Sequence, residues 1–510
     1  MIETEDQGPV RAFLDDETSA AGAPARRESH ISELWLGPER VLKLKRAVKL
    51  PYLDFSSAGR RLAACRHELE RNRVAAPDLY LGVRRITETA DALEWDGSGP
   101  LRDAVLEMRR FDEAGLLDRL AASGHLEVAE MEPLADAVAA LHAAADVSRE
   151  DGAANLAAVL EINRQGFATS EVFAPDRLAA FDSACRDALA AQRDLLAQRG
   201  QEGSVRLCHG DLHLGNIVMI GNRPVLFDCI EFDDRMATVD VLYDLAFLLM
   251  DLRHRGLSGH AALLANRYLD ATGDEAGMTL LPLFMAVRAA VRAHVTGTQI
   301  AEAHAPPGAE ESALSYLAEA ERLLRPPPPV VVAIGGLSGS GKSTLADALA
   351  PDLGGAPGAR HLASDRIRKA RYGVAPRVGL PAEAYAPEVS MAVYRELVHR
   401  SRALASDGVA VIADAVFARP EERAAIAGAA QAAGCAFVGI WLDGAAVTLR
   451  DRVAARYDDP SDATPEVVTR QLDYDLGVIE WTRIDAGRPF DMVCAAALAE
   501  IARVTGQPTT

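Results

Sequence analysis

One run of residues constrains this chain more than any other. VVVAIGGLSGSGKSTLADALA, residues 330–350, sets a β-branched stretch against a glycine-rich turn and then a good helix former. Gly336 to Ser343 spells G-x-x-x-x-G-K-[ST]. The chemistry behind that spacing is phosphate binding: glycines let successive backbone N–H groups close around phosphate oxygens, and the following helix N-terminus favours negative charge. Gly336, Ser338, Gly339, Ser340, Gly341, Lys342, Ser343 and Thr344 are therefore candidate nucleotide contacts. Lys342 is placed for the β- and γ-phosphates and the Ser343 hydroxyl for Mg²⁺. A strand, loop and helix of this kind belong in an α/β domain with a parallel sheet.

The boundary of that domain is written in proline. RPPPP, Arg325 to Pro329, follows the helical run ESALSYLAEAERLL. Consecutive prolines cannot continue a helix and favour a stiff extended spacer. The expected organisation is an N-terminal segment 1–30, polar and either partly disordered or packed on the next domain; a domain at 31–324; a linker at 325–329; and a P-loop domain at 330–510. Within 31–324, short strands surround one helix from about Ile31 to Leu106. HISELWLGPERVLKLK predicts two strands about Gly37-Pro38, and AGRRLAACRHELERNR predicts a helix. From Leu117 to Leu324 the pattern is mostly helical and alanine-rich, apart from 207–233. A small sheet lobe followed by a larger helical lobe is the α+β layout of a protein-kinase-like fold.

LCHGDLHLGNIV, residues 207–218, fits the catalytic-loop spacing H-x-D-x-x-x-x-N with His209, Asp211 and Asn216. The stretch RPVLFDCIEF then places Asp228 at the position of a second metal-binding acid. Asp211 would orient an acceptor hydroxyl and take its proton. Asn216 and Asp228 would give Mg²⁺ hard oxygen ligands. His209 is expected to be scaffold. His213 is open between a structural role and an approach to the transferred phosphate. Lys43 and Lys45 alternate with Leu42 and Leu44, so both face one side of their strand; either could contact the ATP phosphates, with Lys43 preferred. Glu68 is the expected helix partner. Glu107-Met108-Arg109 resembles the lobe hinge of kinases, which implies that backbone groups at Met108 would pair with adenine. HGDLHLGN with Asp228, and the helix DVLYDLAFLLMDL, resemble the aminoglycoside phosphotransferase and choline-kinase branch of the kinase-like fold. No G-x-G-x-x-G precedes the lysine strand; His30-Ile31-Ser32 stands in that region. The whole arrangement resembles proteins described as bifunctional aminoglycoside phosphotransferase and ATP-binding protein.

Downstream of the P-loop, ASDRIRKARYG places Asp365 after a short strand, HLAS, and GVAVIADAVF ends a strand at Asp414. Groups at the carboxyl ends of parallel strands converge on the ligand crevice. Asp365 is the candidate base, Arg368 the candidate contact for an anionic acceptor, and Asp414 a candidate for Mg²⁺ or the acceptor, or else a helix cap. Arg452 and Arg456, four apart, share a helix face and could close over the phosphates. The set resembles the zeta-toxin, gluconate-kinase and polynucleotide-kinase group, which implies ATP-dependent phosphorylation of a small hydroxylated acceptor.

Charge and cysteine narrow the class. A formal net charge of −20 disfavours broad nucleic-acid or membrane binding. The six cysteines are scattered, with no C-x-x-C pair, so neither a disulfide framework nor a zinc site is signalled. MIETEDQGPV lacks a signal peptide's basic start, and no apolar stretch was expected to approach the ~20 residues that span a bilayer. The expectation is a cytoplasmic phosphotransferase using ATP and Mg²⁺ at two sites, each acting on a small hydroxyl- or amine-bearing acceptor. The rivals are a P-loop domain that only gates the first site, a polynucleotide 5′-kinase, and antibiotic resistance through the first domain. Oligomeric state carries no signal.

Overall fold

The computed structural model describes residues 4–19, 25–29, 31–50, 53–302, 305–455 and 460–506. By packing, the chain forms two compact units, Met1–Ala158 with Gln192–Asp251, and Val159–Ala191 with Leu252–Thr510. This grouping differs from the division at the proline run, because residues 252–324 group with the residues that follow them.

The first unit is built on a six-stranded antiparallel sheet. Its order is Ala25–Glu28, Ser32–Leu36, Arg40–Lys45, Leu101–Arg109, Tyr80–Glu88, Leu93–Trp95. Period-2 alternation in Arg40–Lys45 decides its two faces. Leu44 joins Trp35, Ile86 and Val105 in a buried cluster on one side, while Lys43 and Lys45 both reach Glu68 of helix Ala58–Arg73 on the other. Part of the polar N-terminal segment is folded here. Helix Gly8–Ser19 lays Val10 and Leu14, four apart, into that cluster, and the Trp35 indole donates to Asp15 at 2.8 Å. Beyond the sheet, a hairpin of Ile217–Ile220 and Arg223–Leu226 carries Asn216 before it and Asp228 after it.

The second unit holds a five-stranded parallel sheet in the order Arg360–Ala363, Val411–Asp414, Val330–Gly335, Ala436–Asp443, Thr482–Asp485. Strand Val330–Gly335, which leads into the glycine-rich loop, is central, and its residues are all buried. Register places Ile334 and Ala363 on either side of Asp414, so the ends of three strands open at one level.

The edge strand Arg360–Ala363 is covered. Asn266, on helix Ser258–Thr272, accepts from the His361 N–H at 2.8 Å and donates to the Ala359 carbonyl at 3.0 Å, standing in for a missing strand. The Arg360 guanidinium lies in the same seam, bonded to Asp270 and Glu275. The helical stretch Glu275–Ala301 corrects one expectation: with mean hydropathy 1.3 it is long and apolar enough to cross a membrane. Within its most apolar window 72% is buried in the protein. Arg288, Arg292 and His294 interrupt the apolar run in the sequence.

Candidate functional site

The first unit gathers its charges around the lysine strand. The Lys43 ammonium lies 2.7 Å from Glu68 and 2.7 Å from Asp228. Lys45 lies 2.6 Å from Glu68 and 2.5 Å from Glu231. Burial alone would depress both ammonium groups; the surrounding carboxylates, led by Asp228 for Lys43 and Glu68 for Lys45, raise them above the ordinary lysine value. Burial alone would raise Glu68, yet the two lysines hold it down to about 2. Lys43 is the lysine that reaches Asp228, and Lys45 is fully buried.

The loop after strand Val205–Leu207 is held from below. Asp244, buried in helix Val241–His254, accepts from the N–H groups of His209 and Gly210 at 3.2 and 2.8 Å, and Asp251 accepts from Leu214 at 3.1 Å. His209 donates to the Phe227 carbonyl at 2.9 Å, and burial lowers its pKa against the pull of Asp244 and Asp211. It thereby joins this loop to the backbone just before Asp228. The Asn216 amide lies 3.0 Å from an Asp211 carboxylate oxygen. His213 sits 3.4 Å from Asp211 and edge-on to Phe247. Asp228 adopts φ 63°, in the left-handed region, and its N–H donates to the Tyr80 hydroxyl at 3.0 Å; a non-glycine residue there is uncommon. Met108 is in strand Leu101–Arg109, packed beside Ala76, Leu79 and Tyr80.

In the second unit, Gly339 has φ 85° and a Cβ there would fall 2.4 Å from the Leu449 carbonyl oxygen, so the loop can take this path only with glycine. The Ser343 hydroxyl donates to Asp414 at 2.5 Å, and Lys342 to the Leu337 carbonyl at 3.2 Å. Burial would raise the Asp414 carboxyl, but His361, Lys342 and Ser343 together hold it below the usual aspartate value. The Ser340 hydroxyl is buried with no partner. A cleft of about 450 Å³ is lined by Gly339, Gly341, Thr344, Arg452, Arg488 and Phe490 among others. Arg452 itself donates to the Ala486 carbonyl at 2.9 Å. The donor set fits a magnesium-bound nucleotide: a hydroxyl and a carboxylate for the metal, backbone amides and a lysine for phosphate.

Asp365 begins helix Ser364–Arg371 just past the strand end. Burial raises its pKa, and the nearby Asp414 charge adds to this, against a hydrogen bond from Ser461. Arg368 is buried; it donates to the Ala384 carbonyl at 2.7 Å and its guanidinium lies 4.8 Å over the Tyr385 ring. Its Nε has no partner. Arg456 lies outside the described residues.

Several contributors were not anticipated. Glu231, Asp347, His361 and Gln471, whose side chain accepts from the Ser338 N–H at 2.8 Å, carry no local signal. Asp244 did carry one, being an acid inside the apolar run VLYDLAFLLM.

Residues 39–281 match the Phosphotransferase enzyme family, and residues 331–475 match a family described as AAA domain. Uncharacterized proteins of Mycobacterium tuberculosis and Mycobacterium bovis are each 28% identical over 477 residues, covering 91% of this chain and 92% of theirs. Among solved structures, a choline/ethanolamine kinase family protein from Mesorhizobium loti is 16% identical with TM-score 0.41, over 62% of this chain and 94% of its own. A gluconokinase from Sinorhizobium meliloti is 21% identical with TM-score 0.25, over 34% of this chain and 93% of its own.

Proposed function

We propose that this chain, an enzyme that joins a phosphotransferase-family domain to a P-loop kinase domain, transfers the γ-phosphoryl group of ATP at two separate sites to small hydroxyl- or amine-bearing acceptors. The observation that carries this reading is that each unit brings a lysine together with an amide or hydroxyl side chain and two carboxylates, a set suited to phosphate, a metal and an acceptor. In the first unit these are Lys43, Asn216 with Asp228, and Asp211. In the second they are Lys342, Ser343 with Asp414, and Asp365.

Asn216 with Asp228 in the first site, and Ser343 with Asp414 in the second, would hold Mg²⁺, which would supply positive charge to offset that of the phosphates. The protein's own groups do the rest. Lys43, held by Glu68, orients the nucleotide phosphates in the first site. Asp211 accepts the acceptor's proton as the new oxygen–phosphorus bond forms, and the Asn216 amide keeps that carboxylate in place. In the second site the Ser340 hydroxyl and the loop amides cradle the phosphates, and Arg452 flanks the cleft. Asp365 is the base there. The unpartnered Arg368 Nε favours an acceptor bearing an anionic or strongly polar group. The acidic chain weighs against a polynucleotide acceptor, and a cytoplasmic location suits ATP use.

The test compares the full chain with Asp211→Ala and Lys342→Ala, each incubated with ATP and a panel of sugars, aminoglycosides and nucleosides, with products followed by mass spectrometry. Each variant should lose one class of product by about 10²- to 10⁴-fold and keep the other. Loss of both classes in either variant overturns the two-site reading and favours a gating role for the P-loop domain.

A further inference from the structure

Behind the P-loop, a chain of polar groups, buried except for the partly exposed Asp347, runs from a helix outside the P-loop family segment to the carboxylate at the mouth. Arg267, on helix Ser258–Thr272, bonds Asp347 at 2.8 Å. Asp347, on the helix that follows the glycine-rich loop, takes the other side of the link, with His361 Nδ1 at 2.8 Å. His361 Nε2 is 3.3 Å from Asp414 Oδ2, the oxygen that also accepts from Ser343 at 2.5 Å. His361 pairs with Ile412 in the sheet, so Asp414, two residues on, is its diagonal neighbour on the same face. Both ring partners are carboxylates, so the imidazole donates from both nitrogens. Its backbone N–H is bonded as well, to Asn266 of that same helix.

Resting on the reading of the P-loop as a magnesium-nucleotide site, we propose that His361 is a positioning residue of that site: it fixes the Asp414 carboxylate against Ser343, and Arg267 with Asp347 fixes the imidazole. The geometry has a specific consequence. Asp414 is 4% exposed, and its carboxylate can rotate about its own side-chain bonds unless something holds it. Ser343 cannot do this alone, because its hydroxyl is also the group expected to turn to the metal. His361 is a donor on the side away from the cleft, so it holds Asp414 without competing for the ligand. Helix Ser258–Thr272, which falls inside the segment matching the Phosphotransferase enzyme family, is on this account a working part of the P-loop centre.

The experiment measures equilibrium binding of ADP to the full chain, in excess magnesium and in EDTA, for the unaltered protein, Lys342→Ala, His361→Leu and His361→Gln. Binding lost in Lys342→Ala defines the P-loop contribution. His361→Leu should weaken the magnesium-dependent part by about 10-fold or more while leaving binding in EDTA unchanged. His361→Gln, whose amide keeps a donor toward Asp414, should recover most of the loss. Unaltered magnesium-dependent binding in His361→Leu overturns the proposal, and so does equal impairment of the two variants, which would mark a packing role only. If Lys342→Ala binds as the unaltered protein does, the magnesium-nucleotide reading of the P-loop falls and the proposal with it. Should His361→Leu fail to fold, Arg267→Met tests the chain from its far end: a smaller loss confined to magnesium-dependent binding supports the proposal, and unchanged binding overturns it.

Discussion

Lys45 has no contact with water; its ammonium is enclosed by Glu68 and Glu231. Removing one partner of such a set leaves the other charges buried and uncompensated, at a cost of about 3–5 kcal/mol. Lys45→Met is therefore expected to lower the stability of the first unit by that order in urea unfolding. Lys43→Met should cost less, since Lys43 and Asp228 are partly exposed, and should instead impair ATP use at the first site. A larger stability loss from Lys43→Met would reverse this division of labour. Asp365 makes a different prediction. Burial raises its pKa, so the ionised form that the proposed base role requires appears at higher pH than for an exposed aspartate. The acid limb of P-loop turnover should be displaced upward accordingly, as a pH–rate profile of the unaltered protein will report. A carboxyl raised in the fold gives its stabilising contribution below its unfolded pKa and loses it as pH rises through the folded value. Asp365→Asn should accordingly be inactive at the second site yet no less stable at neutral pH, which thermal unfolding will report.

Helix Ser258–Thr272 is the element whose role the packing defines. It satisfies the open edge of strand Arg360–Ala363 through Asn266 and lines the seam that buries Arg360. The Arg360 guanidinium is 1% exposed and bonds both Asp270 and Glu275, while Arg400 also bonds Glu275. Arg360→Met should strip these acids of a buried partner and destabilise the second unit by about 3–5 kcal/mol. A fragment of residues 325–510 lacks the helix altogether and exposes both the strand edge and Arg360. It should melt at lower temperature than the full chain and aggregate more readily. Equal melting temperatures would show that the helix only rests on the sheet.

Across the whole molecule, each unit carries a carboxylate held far below its normal range by buried cations or hydrogen bonds. Burial opposes this in both cases; Lys43 and Lys45 bring Glu68 from 4.5 to about 2, and His361 with Arg267 brings Asp347 from 3.8 to about 2. A carboxyl depressed in the fold contributes stability that is complete above its unfolded pKa and is lost as pH falls through the folded one. Both units should lose stability together between about pH 4.5 and pH 2, the interval bounded by these two pairs of values. Circular dichroism during acid titration will check this; loss of structure confined to one unit would contradict it.

The sequence by itself determined the groups whose chemistry depends on neighbours along the chain. The glycine-rich loop, helix Ala58–Arg73, the strand bearing Lys43 and Lys45, and the spacing of Asp211 and Asn216 are all local patterns, set by period, propensity and turn chemistry. Lys43 and Lys45 both face Glu68, but that Lys43 meets Asp228, 185 residues away, and Lys45 meets Glu231 is set by packing and not by neighbours along the chain. The same holds for Glu231, Gln471 and the Asp347–His361 link, ordinary residues until the sheet brings them together. Helix Ser258–Thr272 precedes the proline run in sequence, yet it packs onto the edge of a strand that follows it. Side-chain pattern announces which face of an element is buried. Which distant element buries it is decided by packing and hydrogen-bond satisfaction among residues far apart in sequence.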